Sequence, residues 1–505
     1  MDMCSIYPHV TVASSDPMTL SPLILTREGK LVLQNFYEVL FELNGFNGTP
    51  YGRVGKSWHW DVDEDGNDKM CVEIYDYIYD TAGNHYTAHD TYFCYMTDWE
   101  AGYLQNFGVY IKELRVVNDY HIDFILNKGQ KDTLLIEYSV LGKCLQYTRA
   151  AYEASKDGMA SDPVGTGPYV LVEYKPGESI TVERAKSYWQ KEDLQMPLQR
   201  SNVQTITYKF ITNSDERAKA LLNHEVEYVD NIAYRYAKQF QELDEFAVCG
   251  WLKDTVHYFV PNCAKGRPCS DINLRAAIFY ACDSKDFVEA CGGAEKAIRT
   301  YCFGTISIGN YNPDWEKMRN YYTICDLKLA GDYLKKSTYQ GQVLKLLYES
   351  GETGEYYLAC AKVVGKALEQ LGIQYELVEK DVMALRDIWD HDAEGWDLIF
   401  SSWASQDNMA NFYDKLYDAN RFDKDLGLSN IEDDQLYEMF WKLYCRTGNT
   451  QENINQLHEY ETEHFYSYGL FQPVCYDVYR SSVIKRVVKN ERNWFMPGAF
   501  SYHID

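Results

Sequence analysis

The chain has 505 residues, more than one hydrophobic core supports, so two to four domains or subdomains are expected. Its 46% hydrophobic and 25% charged residues are typical of a globular protein. The net charge of −26, without a Lys/Arg-rich run, argues against a nucleic-acid partner, and no apolar run approaches the roughly 20 residues that span a bilayer.

Two stretches in the first 160 residues have the clearest periodicity. Apolar residues at helical spacing across residues 29–43 predict a helix that stops at Asn44-Gly45. Alternating residues across 53–75, with Asp65-Gly66 between them, predict a β-hairpin. The same periodicities predict a strand over residues 5–12, a helix over residues 90–103 with Thr87 as its N-cap, and a strand over residues 119–126.

Residues 162–184 predict a second hairpin, which is entered from a Gly/Pro-rich loop. Gly165-Thr166-Gly167-Pro168 precedes an alternating strand, Lys175-Pro176-Gly177-Glu178 makes a tight turn, and a second strand returns. The two glycines are not a dinucleotide-binding fingerprint, because Val170 takes the place of the third glycine and a strand follows instead of a helix.

The rest of the chain alternates predicted strands and helices. In residues 345–377 the order strand, helix, strand implies a parallel βαβ unit, so the expected fold class is α/β. The other predicted elements are strands over residues 203–211, 226–230, 255–262 and 396–403, and helices over residues 213–222 and 271–283.

Three motifs resemble metal or nucleotide sites but lack a required residue. Asp61–Gly66 begins like a calcium loop, yet Val72 stands where the bidentate Glu is needed, which favours an acidic hairpin turn. Gly52–Ser57 ends like a phosphate-binding loop but lacks its first glycine. His458 and His464 are six residues apart, so they face different sides of a helix, and a solvated helical face is predicted. No catalytic residue, cofactor or metal site is predicted.

The 14 cysteines include no C-x-x-C pair, which argues against zinc and thioredoxin-like sites. Their even number permits disulfides in an exported protein. The alternative is that many of them are small buried hydrophobic residues. The sequence leaves both interpretations open.

The second hairpin resembles the signature of ABC-transporter solute-binding proteins of family 5, which bind peptides and oligopeptides. The matching runs are Pro163-Val164-Gly165-Thr166-Gly167-Pro168-Tyr169, the Lys175–Glu178 turn, and Glu183-Arg184 followed by Tyr188-Trp189, with Ala185 where the family has Asn. The resemblance implies a bilobed, periplasmic-binding-protein-like α/β fold (type II) with two chain crossings. It implies lobe I from residues 1–45, 159–254 and 473–505, an inserted subdomain of lobe I from residues 46–158, and lobe II from residues 255–472.

The resemblance also implies a function, which is transport and not catalysis. An oligopeptide would bind between the lobes, and the protein, a monomer, would deliver it to an ABC permease in the membrane. The location would be extracytoplasmic, as a periplasmic protein or a cell-surface lipoprotein, with a leader trimmed from residue 1, since residues 1–4 do not form a signal peptide. Two alternatives are an oligosaccharide or other non-peptide solute, and a peptide sensor in signalling.

The loop after residues 396–403 is the candidate ligand site. In peptide-binding members this loop carries a Trp, and an Asp three residues later pairs with the α-ammonium group of the ligand. Here Gln406 holds that position after Trp403 and Asp407 comes next, so either Asp407 shifts inward or the anchor is absent. Arg386 either binds the ligand carboxylate or is a solvated helix charge. The expected ligand-binding residues are Trp403, Ala404, Gln406, Asp407, Asn408, Thr26, Arg386 and Asn262.

Overall fold

The computed structural model divides the chain into two compact units. Unit one is Met1–Gly250 with Tyr476–Asp505, and unit two is Trp251–Cys475. The chain thus passes from one unit to the other after Gly250 and again after Cys475, and the sequence predicts these two crossings after residues 254 and 472. None of the described helices is both long and apolar enough to span a bilayer. The described residues are 7–24, 29–43, 50–104, 107–134, 136–191, 203–350, 354–381, 383–385, 388, 395–404, 408–417, 429–487 and 500–502.

The main sheet of unit one is built around the strand Tyr7–Ser14. This strand pairs in parallel with Val203–Phe210, where Val10 lies opposite Ile206. The two antiparallel strands Tyr169–Lys175 and Ser179–Arg184, which we name the signature hairpin, extend the sheet as predicted. The strand order in unit one is Tyr468–Arg480 (through its last residues), Tyr228–Ile232, Tyr7–Ser14, Val203–Phe210, Ser179–Arg184, Tyr169–Lys175.

A separate four-stranded antiparallel sheet also belongs to unit one. One face carries fully buried side chains such as Met70, Val72 and Phe124, which join the core of this unit. The other face carries polar side chains, because neighbouring residues of a strand point to opposite faces. The strand order is Gly55–Val62, Asp68–Ile74, His121–Leu126, Ile111–Asn118.

Local signals in this part of the chain are confirmed. Asp63 Oδ1 accepts hydrogen bonds from the backbone N–H groups of Asp65 (3.0 Å) and Asn67 (2.8 Å), so the acidic run forms a hairpin turn. Thr87 caps the helix Ala88–Glu100, and its backbone N–H donates to Asp90 Oδ2 at 2.7 Å. The remaining elements of unit one are the strands Phe41–Leu43, Pro50–Gly52, Phe246–Leu252 (which runs into unit two), Ile484–Val487 and Phe500–Tyr502, and the helices Lys30–Leu33, Phe107–Tyr110, Ile136–Leu141, Arg149–Ala154, Ser214–Leu222 and Tyr234–Gln241.

The helix predicted over residues 29–43 is wrong beyond its first turn. Only Lys30–Leu33 is helical, and Phe41–Leu43 is a strand. The carbonyl groups that a helix would use accept hydrogen bonds from distant segments instead. Asn35 O accepts from Tyr169 N–H (3.1 Å), and Phe36 O accepts from Gly167 N–H (2.8 Å). Tertiary hydrogen bonding therefore overrides the apolar periodicity.

The sheet of unit two contains the predicted parallel βαβ unit. The strands Leu344–Glu349 and Tyr375–Lys380 pair in parallel and are joined by the helix Gly354–Gln370. The strand Leu398–Ala404 is parallel to the first of them and antiparallel to Thr255–Pro261. The other elements are the start of Tyr468–Arg480, the strand Ala297–Arg299, and the helices Ile272–Ala281, Ser284–Ala290, Leu327–Lys336, Ala410–Tyr417, Asp434–Tyr444 and Gln451–His464.

The predicted solvated face of the last of these helices is wrong. His458 and Glu461 are fully buried, and the His458 ring stacks on Trp315 with 4.2 Å between ring centroids. The face packs because Ile454 and Leu457 share it and carry it into the interior of unit two. Burial lowers the pKa of His458 to about 3, so the imidazole is neutral.

The cysteines behave as small hydrophobic residues. All thirteen cysteines among the described residues are free thiols, and nine of them are buried. Burial raises the pKa of thiols such as Cys94 and Cys302, which keeps them protonated. The structure thus favours the interpretation of buried thiols over disulfides for this part of the chain.

Candidate functional site

Three parallel strands have their carboxyl ends at one edge of the unit-two sheet, which we name the carboxyl edge. Glu349 and Lys380 end level with each other, and the third strand continues past them to Ala404, where Thr255 of the antiparallel strand lies opposite. In open α/β sheets, ligands bind outside the carboxyl ends of the strands. The carboxyl edge is therefore where unit two is expected to contact a ligand.

Trp403 lies at the carboxyl edge and joins the two ends of the loop that follows it. Its side chain is part-buried, and the indole Nε1 donates a hydrogen bond to the carbonyl of Asn411 at 3.1 Å. Asn411 belongs to the helix Ala410–Tyr417, which starts where the loop ends. Ala404, the next residue of the strand, is exposed. An indole held in this way presents a rigid apolar face beside solvent-accessible backbone.

Asn408 is at the far end of the loop and has structural partners. Its Oδ1 accepts a hydrogen bond from Ala410 N–H (3.0 Å), as expected for a residue that caps the following helix. Its side-chain amide also pairs reciprocally with that of Asn449, at 2.9 and 3.1 Å. Asn408 therefore holds the start of the helix Ala410–Tyr417 against Asn449. Four of the predicted residues, Gln406, Asp407, Thr26 and Arg386, lie outside the described residues.

Asn262 lies at the other end of the same strand pair. It is fully buried, its Nδ2 donates to Trp396 O (3.1 Å), and its Oδ1 accepts from Ala264 N–H (3.1 Å). The strand pair runs from Thr255 opposite Ala404 to Pro261 opposite Leu398. Six residues of strand correspond to about 20 Å. The structure therefore brings Trp403, Ala404 and Asn408 together but places Asn262 apart from them.

Two polar residues on the first strand of the edge belong to no sequence motif. Thr255 Oγ1 and His257 Nδ1 are buried and have no hydrogen-bond partner within the part of the chain that the structure describes. The His257 ring stacks on Phe471 (4.6 Å between centroids), and burial lowers its pKa to about 3, which makes it neutral. Their alternation with Val256 is the only sequence signal that could have indicated them. Neutral hydroxyl, imidazole and indole groups are suited to binding a ligand.

A polar cluster around the buried Glu38 in unit one includes residues from two of the segments that carry the family resemblance. Glu38 forms an ion pair with Arg53 (3.0 Å) and accepts hydrogen bonds from Tyr188 Oη (2.6 Å) and Trp189 Nε1 (2.9 Å). Trp189 Nε1 also donates to Thr166 O at 3.0 Å. We name these five residues the signature hub. Its members come from four separated segments, and Glu38 and Trp189 connect them.

Gly165 and Gly167, which come just before the signature hairpin, permit this arrangement. A Cβ atom on Gly165 would lie 2.2 Å from the carbonyl oxygen of Phe36, and one on Gly167 would lie 2.5 Å from that of Asn35. Both contacts are with backbone, which cannot move aside easily. Glycine is therefore required here by the close approach of two chain segments.

A protein-family model shows to which family this chain belongs. The family model of bacterial extracellular solute-binding proteins, family 5 Middle, matches residues 72–424, more than half of the chain. The chain belongs to this family. The family and the fold are those of substrate-binding transport proteins and not of enzymes.

Solved structures share the fold of this family 5 chain over nearly its whole length. CtaP of Listeria monocytogenes, an ABC transporter substrate binding protein, has a TM-score of 0.80 and 18% identity, covering 99% of this chain and 100% of CtaP. DppA of Helicobacter pylori, in complex with the peptide STSA, has a TM-score of 0.74 and 17% identity, covering 99% and 98%. NikA of Brucella suis, in complex with Fe(III)-EDTA, has a TM-score of 0.79 and 17% identity, covering 98% and 100%.

These likenesses confirm the predicted periplasmic-binding-protein-like α/β fold (type II). At such low identity they show the fold alone. Sequence matches to curated relatives are shorter, and the aligned part covers 26% or less of the length of each of three relatives.

Proposed function

We propose that this family 5 chain is the extracytoplasmic solute-binding component of an ABC importer and that its solute is an oligopeptide. The family match, together with a Trp-containing loop at the carboxyl edge, carries the proposal. DppA of Helicobacter pylori, which has the same fold, binds a peptide. The protein acts as a monomer and delivers the peptide to a membrane permease.

The α-ammonium group and the carboxylate at the two ends of a peptide need binding partners of opposite charge. The α-ammonium group needs an anionic partner, because desolvating it alone costs several kcal/mol. In this proposal Asp407 supplies that partner and Trp403 packs against the neighbouring part of the peptide. Arg386 binds the carboxylate, while Ala404, Gln406 and Thr26 complete the contacts and Asn262 supports the strand that carries the loop.

The second candidate is a solute other than a peptide, such as an oligosaccharide or a metal chelate. It is favoured by one observation, the neutral Gln406 at the position that aligns with the ammonium-binding Asp of peptide binders. NikA of Brucella suis, with the same fold, holds Fe(III)-EDTA. A peptide sensor without a permease would bind the same ligands and would differ only in its partner.

A thermal-shift screen of the full chain tests the choice of solute. A ligand that binds only the folded state stabilises it by RT ln(1 + [L]/Kd), so a concentration of about 100 times Kd contributes about 2.7 kcal/mol. We expect stabilisation by peptides and a weaker effect from the same peptides with acetylated N-termini. Stabilisation by oligosaccharides or chelates, with none by any peptide, would refute the peptide proposal.

The variant Trp403→Ala tests the site. We expect peptide affinity to fall about ten- to a hundredfold, because the indole contributes a large apolar surface. Trp403→Phe should retain more affinity than Trp403→Ala. Trp99→Ala is the matched control, since Trp99 is 45% exposed and belongs to unit one. Peptide affinity unchanged in Trp403→Ala, measured on protein that unfolds at the wild-type temperature, would rule this site out.

A further inference from the structure

The polar face of the four-stranded sheet in unit one carries a cluster of three potential metal ligands. Cys71 lies directly opposite Asp123 on the neighbouring strand, and His121 is two residues before Asp123 on the same face. Their ligand atoms, one from each residue, all lie within 4.8 Å of one another. Residues 71 and 121 are far apart in the chain, so no short motif in the sequence indicates the cluster.

Two atoms of the cluster are buried and have no hydrogen-bond partner among the described residues. They are His121 Nε2 and Asp123 Oδ1, which lie 3.4 Å apart, at ion-pair distance from each other. The side chain of Asp123 is 5% exposed, and Cys71 is 3% exposed. Buried polar atoms in native proteins are almost always satisfied, so two such atoms facing each other require an explanation. An ion between them would satisfy both.

The ammonium group of Lys69 holds the Asp123 carboxylate in an orientation that suits a ligand of this cluster. Lys69 Nζ donates to Asp123 Oδ2 at 2.7 Å, which leaves Oδ1 directed at His121. Ligating carboxylates are commonly held by such outer hydrogen bonds. Arg115, which lies opposite Asp123 on the other side, donates instead to Glu113 (3.0 and 3.1 Å).

We propose that Cys71, His121 and Asp123 bind a divalent transition-metal ion of the Zn²⁺ type. A thiolate, an imidazole and a carboxylate suit Zn²⁺ and Co²⁺, whereas Ca²⁺ and Mg²⁺ require oxygen ligands. Ligand atoms around a tetrahedral Zn²⁺ lie about 3.3–3.6 Å apart, given bond lengths of about 2.0–2.3 Å. The imidazole and carboxylate already meet this spacing, and Cys71 needs only a small side-chain adjustment. Water takes the fourth position.

Titration of the full chain with Co²⁺ tests the site, because a cobalt–thiolate bond gives a charge-transfer absorption. We expect one Co²⁺ per chain, displaced by Zn²⁺. In Cys71→Ser the absorption disappears, and in His121→Asn the affinity for Zn²⁺ falls more than about tenfold. His121→Asn leaves the Lys69–Asp123 ion pair in place, so it tests the metal site without removing that support.

The chain offers two matched controls. His89 and Asp119 form a similar pair, with 3.5 Å between Nε2 and Oδ1, but both are about two-thirds exposed. Cys325 is an exposed free thiol. His89→Asn and Cys325→Ser should bind Co²⁺ as the wild type does. The site is refuted if the wild type shows no thiolate absorption at micromolar Co²⁺, or if folded Cys71→Ser retains it.

Discussion

The signature hub of unit one and the carboxyl edge of unit two differ in what their side chains contact. In the hub, Glu38 and Arg53 are buried, and Glu38 binds both Arg53 and the part-buried Trp189. At the edge, Ala404 is exposed and Trp403 is part-buried beside it. Thr166, Tyr188 and Trp189, which belong to the family signature, therefore stabilise the fold of unit one, whereas Ala404 at the carboxyl edge is open to solvent.

Unit two also buries a carboxyl group, and its environment differs from that of Glu38. Glu38 faces a guanidinium group, whereas Glu461 accepts a hydrogen bond from Ser467 and is otherwise surrounded by low-dielectric interior. Burial raises the pKa of Glu461 to about 8. The hub is thus a charged contact inside unit one, and Glu461 is a neutral acid inside unit two.

Removing the hub carboxylate should have the largest effect. Glu38→Ala leaves Arg53 buried without its partner, and breaking a buried ion pair in this way costs about 3–5 kcal/mol of unfolding free energy. Urea denaturation measures it. The matched control is Glu153→Ala, which removes an exposed pair with Arg149 (2.7 Å) and should cost less than about 1 kcal/mol. If Glu38→Ala does not fold, Glu38→Gln should still lose more stability than the control; equal losses would contradict a structural hub.

The pH dependence of stability should reveal Glu461. Its pKa is about 8 in the folded chain and about 4.5 when exposed, so the folded state holds the proton that the unfolded state loses between these values. The contribution of Glu461 to the free energy of unfolding is therefore fully present below pH 4.5 and is lost as pH rises through 8. The loss amounts to a few kcal/mol, since one pKa unit corresponds to about 1.4 kcal/mol. Glu461→Gln should remove this slope.

The control for Glu461 lies on the same helix. Glu459 is exposed, so Glu459→Gln should leave the slope of stability against pH unchanged between pH 5 and 8.5. Urea denaturation across this range measures both variants. An identical slope in the wild type and Glu461→Gln would mean that the carboxyl is not held neutral.

The smallest effect is expected at the carboxyl edge. Asn408→Ala removes a helix cap and the amide pair with Asn449, which should cost about 1 kcal/mol. Asn449→Ala should cost a similar amount, and the double variant should cost less than the sum because the two residues share one interaction. Additive losses would show that the pair contributes nothing. A fall in peptide affinity for Asn408→Ala alone would indicate that Asn408 contacts the solute directly.

Much of the fold follows from local patterns. The turn at Asp65-Gly66, the cap at Thr87 and the parallel βαβ unit depend on residues close in the chain, and they agree with the structure. The helix over residues 29–43 fails because its carbonyl groups bind Gly167 and Tyr169. The solvated face at His458 fails because Ile454 and Leu457 lie on the same face and pack it into the interior of unit two, where His458 stacks on Trp315.

The candidate site divides in the same way. The sequence placed Trp403 at the end of a strand, and the structure agrees. It could not show that Asn262 lies far from Trp403. The distance between two residues of an antiparallel strand pair depends on the register of the strands. It also could not indicate Thr255 and His257, whose Oγ1 and Nδ1 atoms have no hydrogen-bond partner among the described residues, because this is visible only in the folded chain.

The α/β class, most of the element order and the resemblance to family 5 are predictable from the chain alone, because they depend on periodicity, turn residues and short motifs. What the polar residues bind becomes visible only in the folded protein. Glu38 contacts Trp189 across 151 positions of chain, and Cys71 faces Asp123 through strand register. The physical reason is that a buried charge or a metal ligand is defined by its partners in space, and chain folding, not local pattern, brings those partners together.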